Sequence, residues 1–449
     1  MNYRIQSITV EGLFGMFDHH IPLNQKERIT IVYGVNGIGK TMIMRMVEAL
    51  FEKQFWELGK LPFDKLILNF QDDNYLKISR NVKKEKFNIS YRVNNEKKAN
   101  FELPLKRNYT YLDSDFVQLI TFVTSAYSNW HRIDAMNLYD SNKGKAWSVL
   151  DFMDEYIHLL PASFQPNFKI PSELSDLLES VKAYFIPTQR MSIPYIVPNE
   201  YNQYHGVSSD STIEAVIGCS KALVDNINDV KKKYNEESNK LDSTLSKRLL
   251  QKKVNTNYSY KQLTQQAKVI QERQNELRTV GLVNGKADDD FMPDKSMNDI
   301  NKAIIAVNFQ DIQLKLGVFD EIYEKLNIFL NILNRRLSFK QISISEKDGF
   351  TFTNNNGEVI QSKDLSSGEQ HEVIMLYQLL FEVPENALVM IDEPEISHHI
   401  MWQKSFVEDM LEIIKLRNFD VYVNTHSPSI VNGNWDMTIP LREEELVEN

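Results

Sequence analysis

The 449-residue chain contains a single cysteine, Cys219, so neither a disulfide framework nor a cysteine-rich zinc site can be built within it. A reducing, cytoplasmic setting is expected. Glycine and proline are also scarce, at 16 and 14 residues, or about 7% together against an average near 12%, which predicts few turns and long helices. No window reaches 18 apolar residues, and the start, MNYRIQSITVEGLF, lacks a basic stretch followed by an apolar run. Neither a membrane span nor a secretory leader is expected. Charge is not lacking: 51 basic against 61 acidic residues leave −10, with 42% hydrophobic and 25% charged residues, which excludes global disorder. The length predicts two to three domains.

Ile5, Ser7, Ile8 and Val10 read as a strand, closed by Gly12 and Gly15. Ile29 to Tyr33 is a second, β-branched strand, after which Met44, Val47, Leu50 and Phe51 recur at helical spacing. LILNF, YLKIS, FNISYRV and FELPL within residues 66–111 predict a β-meander, read as an antiparallel arm. Tyr184 to Pro187 is a short strand before a Pro/Asn/Tyr-rich boundary segment. From Ile213 to Leu245 apolar residues follow three-four spacing, the rhythm returns at Leu263, Ala267, Ile270 and Leu277, and no glycine or proline interrupts 219–280. That predicts an antiparallel helical hairpin projecting on the order of 50 Å, with two helices folded onto a globular core as the alternative. Residues 299–337 read as helical with a stripe at Leu326, Phe329, Leu330 and Leu333, and the remainder alternates strand and helix up to Val423.

The sharpest motif is Gly34-Val-Asn36-Gly37-Ile38-Gly39-Lys40-Thr41, which fits G-x-x-x-x-G-K-[ST] between a strand and a helix. Glycines let successive N–H groups face phosphates, Lys40 adds positive charge at the β- and γ-oxygens, and Thr41 can ligate Mg²⁺. Near the other end, Ala387 to Ile391 is a buried-strand run that delivers Asp392 and Glu393 at its tip. In that position Asp392 would hold Mg²⁺ and Glu393 would orient or deprotonate the attacking water; the plainer alternative is a buried strand ending in a charged turn. Leu365-Ser366-Ser367-Gly368-Glu369-Gln370 opens a helix and reads either as an anion site or as an ordinary N-cap. The strand Val421 to Val423 runs into Asn424-Thr425-His426-Ser427-Pro428, placing His426 at a strand's C-terminal edge, where α/β folds bind ligands.

Taken in order, the phosphate loop, LSSGEQ, LVMIDEPE and THSP resemble the ABC-class ATPase head shared by SMC-like and RecF-like proteins, over about the first 60 and last 115 residues. The resemblance implies an α/β, ABC-type P-loop ATPase head split between the N- and C-terminal segments, with an inserted antiparallel coiled-coil hairpin. It implies ATP and Mg²⁺ as cofactors, and a dimer in which Ser366 and Gly368 of one copy touch the γ-phosphate held by another. His426 would be the switch histidine and Gln189, in FIPTQR, the metal-contacting Q-loop residue. Where transporter ATPases carry an aspartate, this chain reads Glu395-Ile-Ser-His398-His399, which resembles the OLD-like ATPases of bacterial phage defence, most of all those of the PARIS (AriA) and Septu (PtuA) systems. The zinc-hook branch needs a Cys-x-x-Cys that this hairpin lacks. Only 23 residues follow His426, so a Toprim or HNH nuclease is expected as a separately encoded effector, with a phage protein as trigger.

The predicted domains are 1–210, the N-terminal lobe with its β-rich arm; 211–337, the helical insertion; and 338–449, the C-terminal lobe. Lys77, Arg80, Lys83, Lys84, Lys86, Arg92, Lys97, Lys98, Lys106 and Arg107 make a local basic run, and Lys247, Arg248, Lys252 and Lys253 add another near the hairpin tip. The run reads either as a nucleic-acid patch or as a lysine-guarded sheet edge. The reading is therefore an ATP-hydrolysing switch that forms homo-oligomers, with a DNA-binding repair ATPase as its rival and no membrane partner.

Overall fold

In the computed structural model, the described residues are 3–93, 96–97, 101–105, 113–127, 129–141, 144–156, 170–187, 215–251, 258–283, 293–345, 347–396 and 399–441. They form two compact units, Met1–Ile213 with Pro384–Ile396 and Asn418–Asn449, and Glu214–Val383 with Ser397–Arg417. Gln189, Lys98, Lys106, Arg107, Lys252, Lys253, His398 and the segment 442–449 lie outside the described residues.

Two sheets of the first unit follow opposite logic. One is parallel, in the order Ala183–Ile186, Leu388–Asp392, Asp420–Thr425, Ile29–Tyr33, Thr438–Pro440. Its strands Leu388–Asp392 and Asp420–Thr425 are buried at every position, which is why they read as unbroken apolar runs. The other is antiparallel, in the order Phe17–Pro22, Ile5–Leu13, Lys65–Phe70, Tyr75–Asn81, Lys86–Val93, with Glu96–Lys97 and Phe101–Pro104 both pairing with Lys86–Val93. Here burial alternates, as in Lys65–Phe70 and Lys86–Val93, because one face meets the core and the other does not.

Between the two layers runs the helix Lys40–Phe51. Ile43, Val47 and Leu50 share one core with Ile8, Leu66, Ile78 and Ile89 of the antiparallel sheet and with Leu388, Met390 and Tyr422 of the parallel one. Each such fully buried aliphatic contributes roughly 1.5–3 kcal/mol. The meander expected as an arm is thus one wall of the core around this helix. A satellite core gathers Phe116, Ile120, Val123, Trp130, Leu138, Phe152 and Met153 on the helices Asp113–Ala126 and Val149–Tyr156 and a small three-stranded sheet.

The second unit opens with Ala215–Gln251, a 37-residue helix about 55 Å long. The return helix is Tyr260–Thr279, started by a Ser259–Gln262 capping box and buried at Leu263, Ala267, Ile270 and Leu277, the positions the spacing picked out. A third helix, Asp299–Gly317, packs along both of these. Arg248 pairs with Asp311 at 2.6 Å and Lys315 with Asp242 at 2.7 Å, while Tyr234 and Phe319 meet with ring centroids 5.1 Å apart. The predicted helix 299–337 is two helices, since the chain breaks after Gly317 and resumes as Asp320–Arg336. Arg336 is buried at the end of that second helix, pairing with Glu372 at 2.7 Å, with Asp409, and with Ser405 Oγ at 3.2 Å.

Candidate active site

The parallel register builds the site. Asp392 lies beside Asn424, and Asn424 and Thr425 lie beside Val32 and Tyr33, so three strands end at one edge with the phosphate loop springing from the last of them. The loop needs its glycines. Gly37 and Gly39 have φ of 85° and 99°, in the left-handed region. A Cβ on Gly39 would stand 2.3 Å from Leu13 Cδ2, and one on Gly34 would stand 2.9 Å from the Leu441 carbonyl oxygen. Gly39 begins the helix Lys40–Phe51 with no side-chain cap, so the first-turn amides of that helix have no competing side-chain acceptor there.

Lys40 is buried, and its ammonium donates to the carbonyls of Gly34 at 2.9 Å and Val35 at 3.0 Å, using two of its three protons to brace its own loop. Burial pulls its pKa below the usual lysine value, against the opposing pull of Glu393, Asp392 and Glu395. Thr41 Oγ1 donates to the Asp392 carboxylate, 2.9 Å from Oδ2, and Asn424 Nδ2 donates to Asp392 Oδ1 at 3.2 Å. Asn424 is fully buried, and its Oδ1 has no hydrogen-bond partner among the described residues. Thr41 and Asp392 thus bring hard oxygen atoms together, steadied by the Asn424 amide, a donor set that suits Mg²⁺. Tyr422, beneath them, is entirely buried, and burial together with Asp392 pushes its phenol well above its ordinary pKa.

Glu393 follows the strand with φ of 45°, an uncommon conformation for a residue with a side chain, and its N–H donates to the Asn424 carbonyl at 2.9 Å. That turn sends its carboxylate to His426, whose Nε2 lies 3.5 Å from Oε1. The backbone N–H of His426 donates to Glu395 Oε1 at 2.7 Å. Glu395 therefore anchors the histidine's backbone.

The second unit carries the other expected segment. Ser366 is the N-cap of the helix Ser367–Tyr377; its Oγ accepts from Glu369 N at 3.3 Å, and Glu369 Oε2 accepts from Ser366 N at 2.7 Å. Lys340 Nζ lies 2.7 Å from the same Oε2. Burial works to raise the Glu369 pKa, but Lys340 and the Ser366 bonds hold it below its ordinary value. Ser366 and Ser367 are exposed.

The structure thus brings together Gly34, Asn36, Gly37, Ile38, Gly39, Lys40, Thr41, Asp392, Glu393 and His426 in one unit and sets Ser366, Ser367, Gly368 and Glu369 on one helix start of the other. Two residues were not singled out from sequence. Asn424 stood inside the THSP approach but carries its role only through its strand neighbour Asp392, and His19, whose Nε2 lies 2.9 Å from the Ile38 carbonyl oxygen, sits in the unremarked pair His19-His20. Four residues of the basic run are engaged within their own unit: Arg80 donates to the carbonyl of Gly59 at 3.1 Å and to that of Leu61, Lys86 and Lys84 lie 2.7 and 3.9 Å from Glu102, and Arg92 stands 5.5 Å over Tyr75.

No helix among the described residues is long and apolar enough to cross a membrane. No curated protein matches the chain. Among solved structures it is similar to an Smc head domain with an extended coiled coil bound to the C-terminal domain of ScpA, derived from Pyrococcus furiosus, at 12% identity and a TM-score of 0.37, covering 98% of this chain and 94% of that one. It is also similar to the SMC head domain from Thermotoga maritima, at 10% identity and a TM-score of 0.31, covering 95% and 91%. A family match runs from residue 4 to residue 431, and by it the chain belongs to the AAA ATPase domain family.

Proposed function

We propose that the chain is an ABC-type, ATP-driven switch. Two copies close on ATP, each nucleotide lying on the phosphate loop of one copy and meeting Ser366 and Gly368 of another, and hydrolysis separates them. The observation that carries this is the Glu393–His426 pair, 3.5 Å apart at the strand edge that also holds Thr41 and Asp392. A strained glutamate beside a histidine is the arrangement expected of a water-orienting base and the group that reports on the γ-phosphate. Mg²⁺ would neutralise developing charge on the β- and γ-oxygens; Thr41 and Asp392 would hold it, with Gln189 as a further candidate contact. Glu393 would take or orient the proton of the attacking water.

The His-bearing run after Glu395 and the resemblance stated above support bacterial anti-phage defence as the setting. In that setting the cytoplasmic switch holds a separately encoded Toprim- or HNH-type nuclease and releases it when a phage protein is sensed. The head is divided between 1–210 and 338–449, with 211–337 inserted. The rival reading, a DNA-gripping repair ATPase, has less behind it, because Arg80, Lys84, Lys86 and Arg92 of the 77–107 run are already engaged by neighbouring groups of their own unit.

Glu393→Gln tests the reading. It should slow hydrolysis by about 10²–10³-fold, the scale of losing a positioned base, while ATP still binds and self-associated species accumulate on size exclusion. Wild-type turnover would remove Glu393 from its role, and a monomer at saturating ATP would remove the closing step. Co-purification of the neighbouring gene's product with the Glu393→Gln protein separates the two settings, since a nuclease supports defence and duplex DNA supports repair.

A further inference from the structure

The phosphate loop is gripped from the antiparallel sheet at two consecutive residues. His19, on the strand Phe17–Pro22, is 4% exposed, its ring stacks on Phe17 with centroids 5.8 Å apart and planes 13° apart, and its Nε2 lies 2.9 Å from the Ile38 carbonyl oxygen. A carbonyl can only accept, so Nε2 carries the proton. On the paired strand, Leu13 occupies the space where a Cβ of Gly39 would fall.

Ile38 C=O and Gly39 N–H belong to one peptide unit, and no described peptide is cis. In a trans peptide the C=O and N–H point in opposite directions. Holding the oxygen outward against His19 therefore turns the Gly39 N–H toward the opposite, inner side of the loop, at the start of the helix Lys40–Phe51. The same bond polarises that N–H as a donor. We infer that His19 is a positioning residue for the nucleotide: through the Ile38–Gly39 peptide it aims a backbone donor at an anionic phosphate, and so sets affinity for the triphosphate rather than the rate of bond cleavage. The inference rests on the ATPase reading of the loop.

The test uses the full chain. His19→Phe keeps a ring to stack on Phe17 but cannot donate, whereas His19→Gln can place an amide N–H where Nε2 stood. Binding of a fluorescent ATP analogue and steady-state hydrolysis are measured for both. His19→Phe is expected to weaken binding and raise KM about tenfold, one charge-assisted hydrogen bond's worth, with kcat within about threefold of wild type, and His19→Gln should recover most of the loss. Melting without nucleotide reports any folding defect, and the shift of melting temperature on adding ATP reads affinity in whatever folds. Wild-type affinity in His19→Phe overturns the inference, as does an equal loss in both variants or a loss confined to kcat. Lys40→Met is the control: if the wild type and this variant bind ATP alike, the nucleotide reading falls and the inference falls with it, whereas a dead Lys40→Met beside a normal His19→Phe removes His19 alone.

Discussion

Two helices in this molecule start in glycine- and serine-bearing loops, and they start in opposite ways. The helix Lys40–Phe51 begins at Gly39 with no side-chain cap and a basic residue at its first position, whereas Ser367–Tyr377 begins at Ser366 inside a closed capping box, with a Glu369 carboxylate and Lys340 on its first turn. The first offers bare N–H groups to an anion from outside. In the second, the N–H groups of Ser366 and Glu369 are already held by the box, and Ser366 and Ser367 are exposed. Under the proposed function, the same generalisation about helix N-termini would cover a primary phosphate site and a segment that touches a nucleotide held by another copy.

The largest effect that would break the contrast is at Lys40. Lys40→Met should weaken ATP binding by about a hundredfold or more, since it removes a buried ammonium and the brace it gives Gly34 and Val35; isothermal titration measures this. Ser366→Ala should leave affinity within about twofold and lower turnover, and it should cost roughly 1 kcal/mol in denaturant midpoint through loss of the N-cap. A fall in affinity matching that of Lys40→Met would mean the two helix starts are alike after all.

The smallest effect concerns their glutamates, which titrate in opposite directions. In the first helix burial, with Glu52 adding to it, raises Glu48 to about 7, and in the second Glu369 is held low. Glu48 therefore withdraws stability as pH rises from its unfolded value through about 7, and Glu369 supplies stability that is lost as pH falls below its unfolded value. Glu48→Gln should raise the melting temperature at pH 8 by ~3 °C, an advantage that shrinks to nothing near pH 4.5. Glu369→Gln should instead lower melting most above pH 5, and both are read by calorimetry across pH.

Much of this was legible in the sequence because it is local. The phosphate loop, the strand that carries Asp392 and Glu393, and the buried stripe Leu263, Ala267, Ile270, Leu277 follow from spacing that neighbouring residues enforce. What was not legible is what depends on partners far away in sequence. His19 means nothing until its strand lies under the phosphate loop, and Asn424 means nothing until strand register sets it beside Asp392. The meander's strands are visible in the sequence but its place as a wall of the core is not, since alternation reveals that one face is buried and not which helix buries it. The third helix, Asp299–Gly317, is apolar on several sides and gave no stripe to aim it at Ala215–Gln251 and Tyr260–Thr279.

Thr41 and Asp392, bonded to one another in the site, are separated by 351 positions along the chain. A ribosome adding about 5–20 residues per second needs roughly 20 to 70 s to pass from one to the other. For most of that interval the emerged phosphate loop lacks Asp392, Glu393 and the two central strands of its sheet, so under the proposed function the nascent protein cannot hydrolyse ATP. Under the proposed function, any chain cut short upstream of residue 392 should be silent.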